Sequence, residues 1–189
     1  MKKDIILAGV GGQGILSIAA VIGTAAVESG LYLKQAEVHG MSQRGGAVES
    51  HLRISDKPIA SDLIMEGNCD IIISVEPMEA LRYIPFLSEN GWVVTSSNAF
   101  NNIEDYPQEE LLLAEISKIK NHKILDASSI ARKVGSQKVT NIVMLGAAYE
   151  FLGLSAESLE GALQRHFGRK GEEIVNMNIT ALKAGREIG

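Results

Sequence analysis

Apolar runs alternate with helical periodicities over the first two thirds of the chain. Strands are predicted at residues 4–8, 32–38, 70–75, 91–96 and 123–127. Helices are predicted between them at residues 14–29, 76–87 and 107–119, with Pro85 shortening or kinking the second of these. Strands that alternate with helices predict an α/β fold with a doubly wound, Rossmann-like and mostly parallel sheet.

One segment breaks this alternation with a period of two. In residues 47–54, Val48, Leu52 and Ile54 alternate with polar residues. This pattern predicts a half-exposed strand that extends the sheet in an antiparallel direction. After a turn, residues 59–66 are interpreted either as a second exposed strand or as a lead-in to the next buried one.

The last third of the chain carries only helical patterns. They cover residues 128–134, 141–152, 156–167 and 171–184. The sequence has neither repeats nor a linker, so it predicts one domain over residues 1–189, with a sheet region (1–127) and a helical tail (128–189) that packs on it. In the helix at 141–152, the apolar face is interpreted as core rather than as a partner site. That face consists of Ile142, Leu145, Ala148 and Leu152.

Net charge and cysteine content narrow the classes of function. The 189 residues carry a formal net charge of −5, which disfavours general binding to nucleic acid or to anionic membranes. The single cysteine, Cys69, cannot form a disulfide, a zinc site or an iron–sulfur site alone, and it is predicted to be buried and inert. No metal site is predicted, and the basic residues at 165–170 are interpreted as a solvated helix end. Without a leader or membrane-spanning pattern, a cytoplasmic location is expected.

The first candidate site is the turn between the first strand and the first helix. It contains Gly9, Gly11, Gly12, Gln13 and Gly14. Its glycines follow the spacing G-x-G-x-x-G, which allows a tight turn and the close approach of a ligand. Amides at a helix start favour anions, so the turn is predicted to bind a ligand or an anion. The alternative is a glycine turn that only packs the strand against the helix.

The second candidate site is a polar, glycine-rich segment further along the chain. Its residues are Glu37, His39, Gly40, Ser42, Gln43, Arg44, Gly45 and Gly46. At the carboxyl end of a strand, such a segment lies where ligands and partners dock. Arg44 could clamp a phosphate or carboxylate, and Glu37 would hold the ribose hydroxyls if the turn bound a dinucleotide. His39 is more simply a packed histidine, and Ser42 lacks the partners of a nucleophile, so no catalytic residue is predicted.

Three segments together resemble a known family. They are residues 9–14 (GVGGQG), 37–46 (EVHGMSQRGG) and 139–147 (VTNIVMLGA). In this order, and spread over nearly the whole chain, they are similar to the gamma-type domain of 2-oxoacid:ferredoxin oxidoreductases. Within that family, the residues that precede Arg44 favour the branch that acts on indolepyruvate, in which the match is to the small (beta) subunit.

The resemblance implies an accessory role in an oxidative decarboxylation. In the family, a 2-oxoacid loses its carboxylate, coenzyme A takes the acyl group and ferredoxin takes the electrons. Thiamine diphosphate, Mg²⁺ and the iron–sulfur clusters are expected on a large (alpha) subunit and not on this chain, which would reach ferredoxin and coenzyme A through the complex. Both candidate segments are then expected at the subunit interface or the pocket edge. The isolated chain is expected to be inactive and to dimerise through its uncovered interface.

Two other functions stay open at this point. A free-standing oxidoreductase would bind a nicotinamide or flavin dinucleotide by itself. An assembly module that senses a small anion would use the same turn without a redox coenzyme.

Overall fold

Six strands form one mixed sheet in the order β2-β3-β1-β4-β5-β6 in the computed structural model, which describes residues 1–39 and 45–188. The strands are β1 (Lys2–Val10), β2 (Tyr32–His39), β3 (Ala47–Ser55), β4 (Cys69–Ser74), β5 (Leu87–Ser96) and β6 (His122–Leu125). β1, β4, β5 and β6 run parallel, whereas β3 is antiparallel to both β1 and β2. The predicted α/β class, with a Rossmann-like sheet and an antiparallel extension, is confirmed.

Helices cover both faces of the sheet. Within the described ranges they are α1 (Ile15–Glu28), α2 (Pro77–Arg82), α3 (Glu109–Ser117), α4 (Ala127–Val134), α5 (Thr140–Ala147), α6 (Tyr149–Leu152), α7 (Ala156–Phe167) and α8 (Glu172–Arg186). Helices α1, α4, α5, α7 and α8 pack on one face, and α2 and α3 pack on the other. The helical tail therefore thickens one side of the sheet. No helix in the described part of the chain has the length and apolar character needed to cross a bilayer.

Helix α5 lies at the centre of the thicker layer. The four residues predicted to form its core-facing side, and that of α6, are all fully buried. The predicted single helix is divided at Ala148, where α5 ends and α6 begins. Helix α8 touches α5 backbone to backbone, because a Cβ atom on Gly146 would lie only 2.2 Å from the Leu182 carbonyl oxygen and one on Gly185 only 2.1 Å from the Val143 carbonyl oxygen.

The prediction that residues 47–54 form a half-exposed strand is wrong. Strand β3 lies between β1 and β2 rather than at the edge. Every residue after Ala47 is buried or half-buried, so neither face of the strand is open to solvent. Its polar residues are buried by specific partners: His51 is 4% exposed and its Nδ1 accepts a hydrogen bond from the Ile64 amide (3.0 Å). An alternating pattern indicates only that one face of a strand is polar and the other apolar. In β3 the side chains of the polar face form hydrogen bonds inside the protein, so that face is buried as well.

The most strongly buried charge pair joins β1 to β3. Asp4 is fully buried, and Arg53 donates to it twice, from Nε to Oδ1 (2.7 Å) and from Nη2 to Oδ2 (3.1 Å). The remaining Arg53 nitrogen, Nη1, donates to the carbonyl oxygens of Ser61 (3.1 Å) and Leu63 (3.0 Å). Residues 59–66 contain no strand, so of the two interpretations the lead-in is confirmed.

Cys69 begins β4 and is completely buried. Burial raises the pKa of its thiol to about 12, which leaves the sulfur protonated at neutral pH. The prediction of a buried thiol is confirmed.

Candidate functional site

The switch point of the sheet lies between β1 and β4. After β1 the chain builds β2 and β3 on one side, and after β4 it builds β5 and β6 on the other. In open α/β sheets, the carboxyl ends of such a strand pair border a crevice that binds ligands. The crevice here is bordered by the glycine turn (Gly9–Gly14) and by the start of α2.

The glycine turn is closed by its own hydrogen bonds. The Gln13 amide donates to the Val10 carbonyl oxygen (3.0 Å), and the Gln13 side-chain oxygen accepts from the Val10 amide (2.8 Å). The side-chain carbonyl of Gln13 is therefore used inside the turn. A Cβ atom on Gly9 would lie 2.7 Å from Cδ1 of Ile15, so a side chain there would require the Ile15 side chain to move.

Asn141 connects the turn to the helical tail. Its Nδ2 donates to the Gly14 carbonyl oxygen (3.0 Å), which also accepts the Ser17 amide (3.1 Å) at the start of α1. Gly14 has a φ of 80°, and a Cβ atom there would lie 2.6 Å from the Asn141 amide nitrogen. The segments 9–14 and 139–147, far apart in sequence, thus meet in one structure.

Gly45 and Gly46 join the second candidate segment to the first. The Gly11 amide donates to the Gly46 carbonyl oxygen (2.8 Å), and the Gly45 amide donates to the Gly11 carbonyl oxygen (3.3 Å). The other two motif segments, 37–46 and 139–147, therefore both contact the glycine turn. The predicted site residues Gly40, Ser42, Gln43 and Arg44 lie outside the described residues, and of His39 only the backbone, at the end of β2, is described.

Glu37 does not face the turn as a ribose-binding acid would. Strand β3 separates its strand from β1, which places β2 two strand spacings, or roughly 10 Å, from the turn. Its exposed carboxylate accepts a hydrogen bond from Nε2 of Gln35 (2.5 Å). This arrangement disfavours the dinucleotide interpretation, in which the acid-bearing strand is the direct neighbour of β1.

A cleft of about 360 Å³ opens beside the glycine turn. Its walls are three glycines of the turn (Gly11, Gly12 and Gly14) together with Val10, Ile15, Leu16 and Val48. Within the described ranges, no acceptor faces the amides of Ile15 and Leu16 at the start of α1. Apolar walls with free helix-start amides suit a slender ligand that carries an acceptor or a negative charge at one end.

A larger depression, of about 570 Å³, lies between β6 and the carboxyl-terminal helices, away from the three motif segments. Its cations are already engaged: Lys123 binds the Glu150 carboxylate (2.9 Å), and the Arg186 guanidinium lies 4.1 Å from the centre of the Tyr149 ring. This depression does not contain an assembled set of reactive groups.

Sequence reasoning missed the carboxylate at the switch point. Glu76 is fully buried just after β4, where its Oε2 accepts the Glu79 amide (2.8 Å) as the cap of α2. Its Oε1 accepts the Tyr106 hydroxyl and the Phe100 amide (3.4 Å). Burial and this hydrogen bond to Glu76 raise the pKa of Tyr106. The available signal was the acid before Pro77, which is typical of a helix cap.

Glu79 is a second buried acid near Glu76, and it is incompletely satisfied. It is 1% exposed, and its Oε1 accepts from Nε of Arg82 (3.1 Å), whereas its Oε2 has no hydrogen-bond partner among the described residues. Burial raises the pKa of Glu79 above its ordinary value, with the nearby Arg82 opposing the shift.

Glu79→Gln is therefore expected to stabilise the protein at neutral pH. A raised pKa in the folded state means that the ionised carboxylate disfavours folding once the pH exceeds the ordinary value of 4.5, and that this cost is absent below it. Urea unfolding should show a higher midpoint for the variant at about pH 7 and no difference at about pH 4. The exposed Glu89→Gln should change neither midpoint, and an equal gain for Glu79→Gln at both pH values would contradict a charge effect.

The fold and the braced turn define a class of protein: a Rossmann-like domain whose glycine turn is held by two other segments of the same chain. Residues 4–188 match the family described as pyruvate ferredoxin/flavodoxin oxidoreductase. The chain belongs to this family, and the resemblance seen in the three sequence segments is confirmed.

Relatives and solved structures agree with this assignment. The chain is 38% identical to the indolepyruvate oxidoreductase subunit IorB of Archaeoglobus fulgidus, over 98% of this chain and 94% of that protein. The gamma subunit of a keto/oxoacid ferredoxin oxidoreductase from Geobacter sulfurreducens shares the fold with a TM-score of 0.72 and 26% identity, over 98% of this chain and 97% of that one. The 2-oxoglutarate:ferredoxin oxidoreductase of Magnetococcus marinus shares the fold with a TM-score of 0.78 and 22% identity. The match covers 99% of this chain but only 31% of that longer polypeptide.

Proposed function

We propose that this chain is the accessory subunit of an indolepyruvate:ferredoxin oxidoreductase, which decarboxylates an aryl 2-oxoacid oxidatively and transfers the acyl group to coenzyme A. The observation that supports it most is the near full-length match to a relative named as an indolepyruvate oxidoreductase subunit. The fold match to a separate gamma subunit of similar length supports the role of one subunit among several.

The reactive cofactors belong to the large (alpha) subunit in this proposal. Thiamine diphosphate with Mg²⁺ would supply the carbanion chemistry there, and iron–sulfur clusters would carry the electrons to ferredoxin. The lone thiol of this chain, Cys69, is buried and protonated, which suits a structural position rather than cluster ligation. We expect ferredoxin to meet this chain only as part of the complex, and the complex to be cytoplasmic.

The cleft beside the glycine turn gives this chain its part in the reaction. Its apolar walls and helix-start amides fit the chain-like arm or a phosphate of coenzyme A better than a flat nicotinamide ring. Gly11–Gly14 and Gly45–Gly46 would then lie at the subunit interface or the pocket edge, with Arg44 beside them in sequence. They would exclude water and shape the approach without transferring a proton.

Co-expression with a candidate large subunit tests the proposal. The complex should reduce ferredoxin in a coenzyme A-dependent way with indolepyruvate, and more efficiently than with pyruvate or 2-oxoglutarate, whereas neither chain should do so alone. Because the reactive groups lie on the other chain, omission of this chain should remove essentially all turnover. Nicotinamide reduction by the isolated chain with any 2-oxoacid would overturn the proposal, and preference for another oxoacid would overturn its substrate.

The isolated chain also presents apolar surface that a partner would cover. Leu16 at the cleft and Val38 on the edge strand β2 are 45% and 53% exposed. Uncovered apolar side chains favour self-association, so we expect a dimer when the chain is purified without its large subunit and its replacement by the heteromeric complex when both are present.

A further inference from the structure

A segment that the proposed function leaves unused runs along the carboxyl edge of the sheet. It comprises residues 97–107, between β5 and α3, and is called the bridge below. The bridge is held at three separate places, which follow β6, follow β4 and precede β3. It therefore connects the end of β6, at one edge of the sheet, to the switch point between β1 and β4 and to the place where the two glycine segments meet.

The first attachment is made by Asn98, close to the end of β6. Its Oδ1 accepts the Ser96 hydroxyl (2.8 Å) and the Ser128 amide (2.9 Å), and its Nδ2 donates to Oδ1 of Asp126 (2.9 Å). Hydrogen bonds from Ser129, and after them the one from Asn98, lower the pKa of Asp126 to about 2. The amino-terminal part of the bridge is thus tied to the start of α4.

The second attachment is the buried carboxylate of Glu76 at the switch point. It accepts hydrogen bonds from the bridge at the Phe100 amide and at the Tyr106 hydroxyl. A fully buried carboxylate needs such donors to offset its desolvation, so the bridge and the start of α2 stabilise one another.

The third attachment reaches the second glycine segment. Nδ2 of Asn102 donates to the Gly45 carbonyl oxygen (2.6 Å). Gly45 and Gly46 exchange hydrogen bonds with Gly11 of the glycine turn. Gly45 has a φ of 79°, a left-handed conformation that favours glycine. A Cβ atom there would meet no described atom within 4 Å, so in the described part of the chain the hydrogen bond from Asn102 is the side-chain contact that restrains Gly45.

We propose that Asn102 is a positioning residue for the site at the switch point. Through Gly45 it holds the end of the second glycine segment against the glycine turn, and Glu76 and Tyr106 hold the bridge that carries it. The expected effect of Asn102 variants on the enzyme rests on the proposed function, in which these glycines line the subunit interface. The expected effect of the same variants on the isolated chain does not depend on it.

Amide hydrogen exchange of the isolated chain tests the structural part. In Asn102→Ala, the Gly45 and Gly11 amides should exchange about five- to tenfold faster, which corresponds to the loss of one net hydrogen bond. The thermal midpoint should fall by no more than about 2–4 °C, the effect of one lost hydrogen bond on a chain of this size, and amides that exchange by local opening away from the bridge should stay unchanged. Asn102→Asp keeps the shape but replaces the donor with an acceptor that repels the Gly45 carbonyl oxygen, so exchange should be at least as fast as in the alanine variant. The exposed neighbour Asn101→Ala should match the wild type. Unchanged exchange at Gly45, or an equal acceleration at locally opening amides away from the bridge, would overturn the proposal.

The reconstituted complex tests the functional part. Asn102→Ala and Asn102→Asp should weaken binding to the large subunit about five- to tenfold, while kcat at saturating small subunit stays close to wild type. Wild-type affinity in a variant with faster Gly45 exchange would overturn a positioning role. If the wild-type complex itself showed no oxoacid-dependent turnover, the proposed function would fail, and the exchange measurement would still decide the role of Asn102 within the chain.

Discussion

Gly185→Ala is expected to lower the free energy of unfolding by about 3 kcal/mol, near the upper end of the cost of overpacking a core. The added methyl would lie 2.1 Å from the Val143 carbonyl oxygen and 3.0 Å from Cα of Gly146. Both obstacles are backbone atoms, so no rotamer change can relieve the clash. Helices α5 and α8 would have to separate, although α5 is enclosed by the rest of the core. Urea unfolding of the isolated chain measures the loss.

Gly161→Ala is the matched control for this prediction. Gly161 also lies within a helix, α7, but a Cβ atom there meets no other atom within 4 Å. Alanine should therefore stabilise that helix by up to about 1 kcal/mol through its lower conformational freedom. Gly146→Ala should be as damaging as Gly185→Ala. Equal midpoints for Gly161→Ala and Gly185→Ala would show that the two helices separate at little cost.

Arg53→Ala is expected to cost about 3–5 kcal/mol, because it leaves a buried charge without its main partner. Asp4 is fully buried, and besides Arg53 only the mostly exposed Lys2 forms an ion pair with it among the described residues (2.7 Å). The variant also removes the donor to the carbonyl oxygens of Ser61 and Leu63. Both the β1–β3 contact and the lead-in segment should loosen. Equilibrium unfolding in urea gives the loss, and the exposed Arg169→Ala should leave stability nearly unchanged.

A double-mutant cycle separates the charge effect from lost packing. Asp4→Asn removes the buried charge, so adding Arg53→Ala to it should cost less than Arg53→Ala costs in the wild type. Strictly additive losses would mean that Arg53 acts through its packing and its two backbone contacts rather than through the Asp4 charge.

The chain order of strands and helices was readable from the sequence because buried parallel strands are apolar throughout. The apolar centres of β4 (Ile71–Ile73) and of β5 (Val93 and Val94) illustrate this, since all five side chains are fully buried. The position of β3 was not readable. Its alternating pattern indicates that one face is polar. That this face is also buried follows only from the partners of His51 and Arg53, which come from residues 61–64 and from β1.

For the site, the sequence indicated the glycine turn and the segment before β3 but not how they are joined. The turn is recognisable because several of its glycines meet a local constraint: Gly12 and Gly14 have φ values of 103° and 80°, and Gly14 also lies beside Asn141. The sequence could indicate Glu76 only as a helix cap, and it could not indicate the contacts of Glu76, Asn102 and Tyr106, since these join elements that are 24 to 57 residues apart. Such pairings depend on the topology of the finished sheet rather than on local pattern.

The burial of Cys69 has a practical consequence for mapping the assembled complex. The native thiol is protonated and shielded, so alkylating reagents should leave it untouched in the folded chain. A single cysteine introduced at an exposed position such as Asn101 would then accept a fluorescent or spin label at that position alone, with no background from the native sequence. Distances from such labels to the large subunit could be measured in an otherwise unaltered polypeptide.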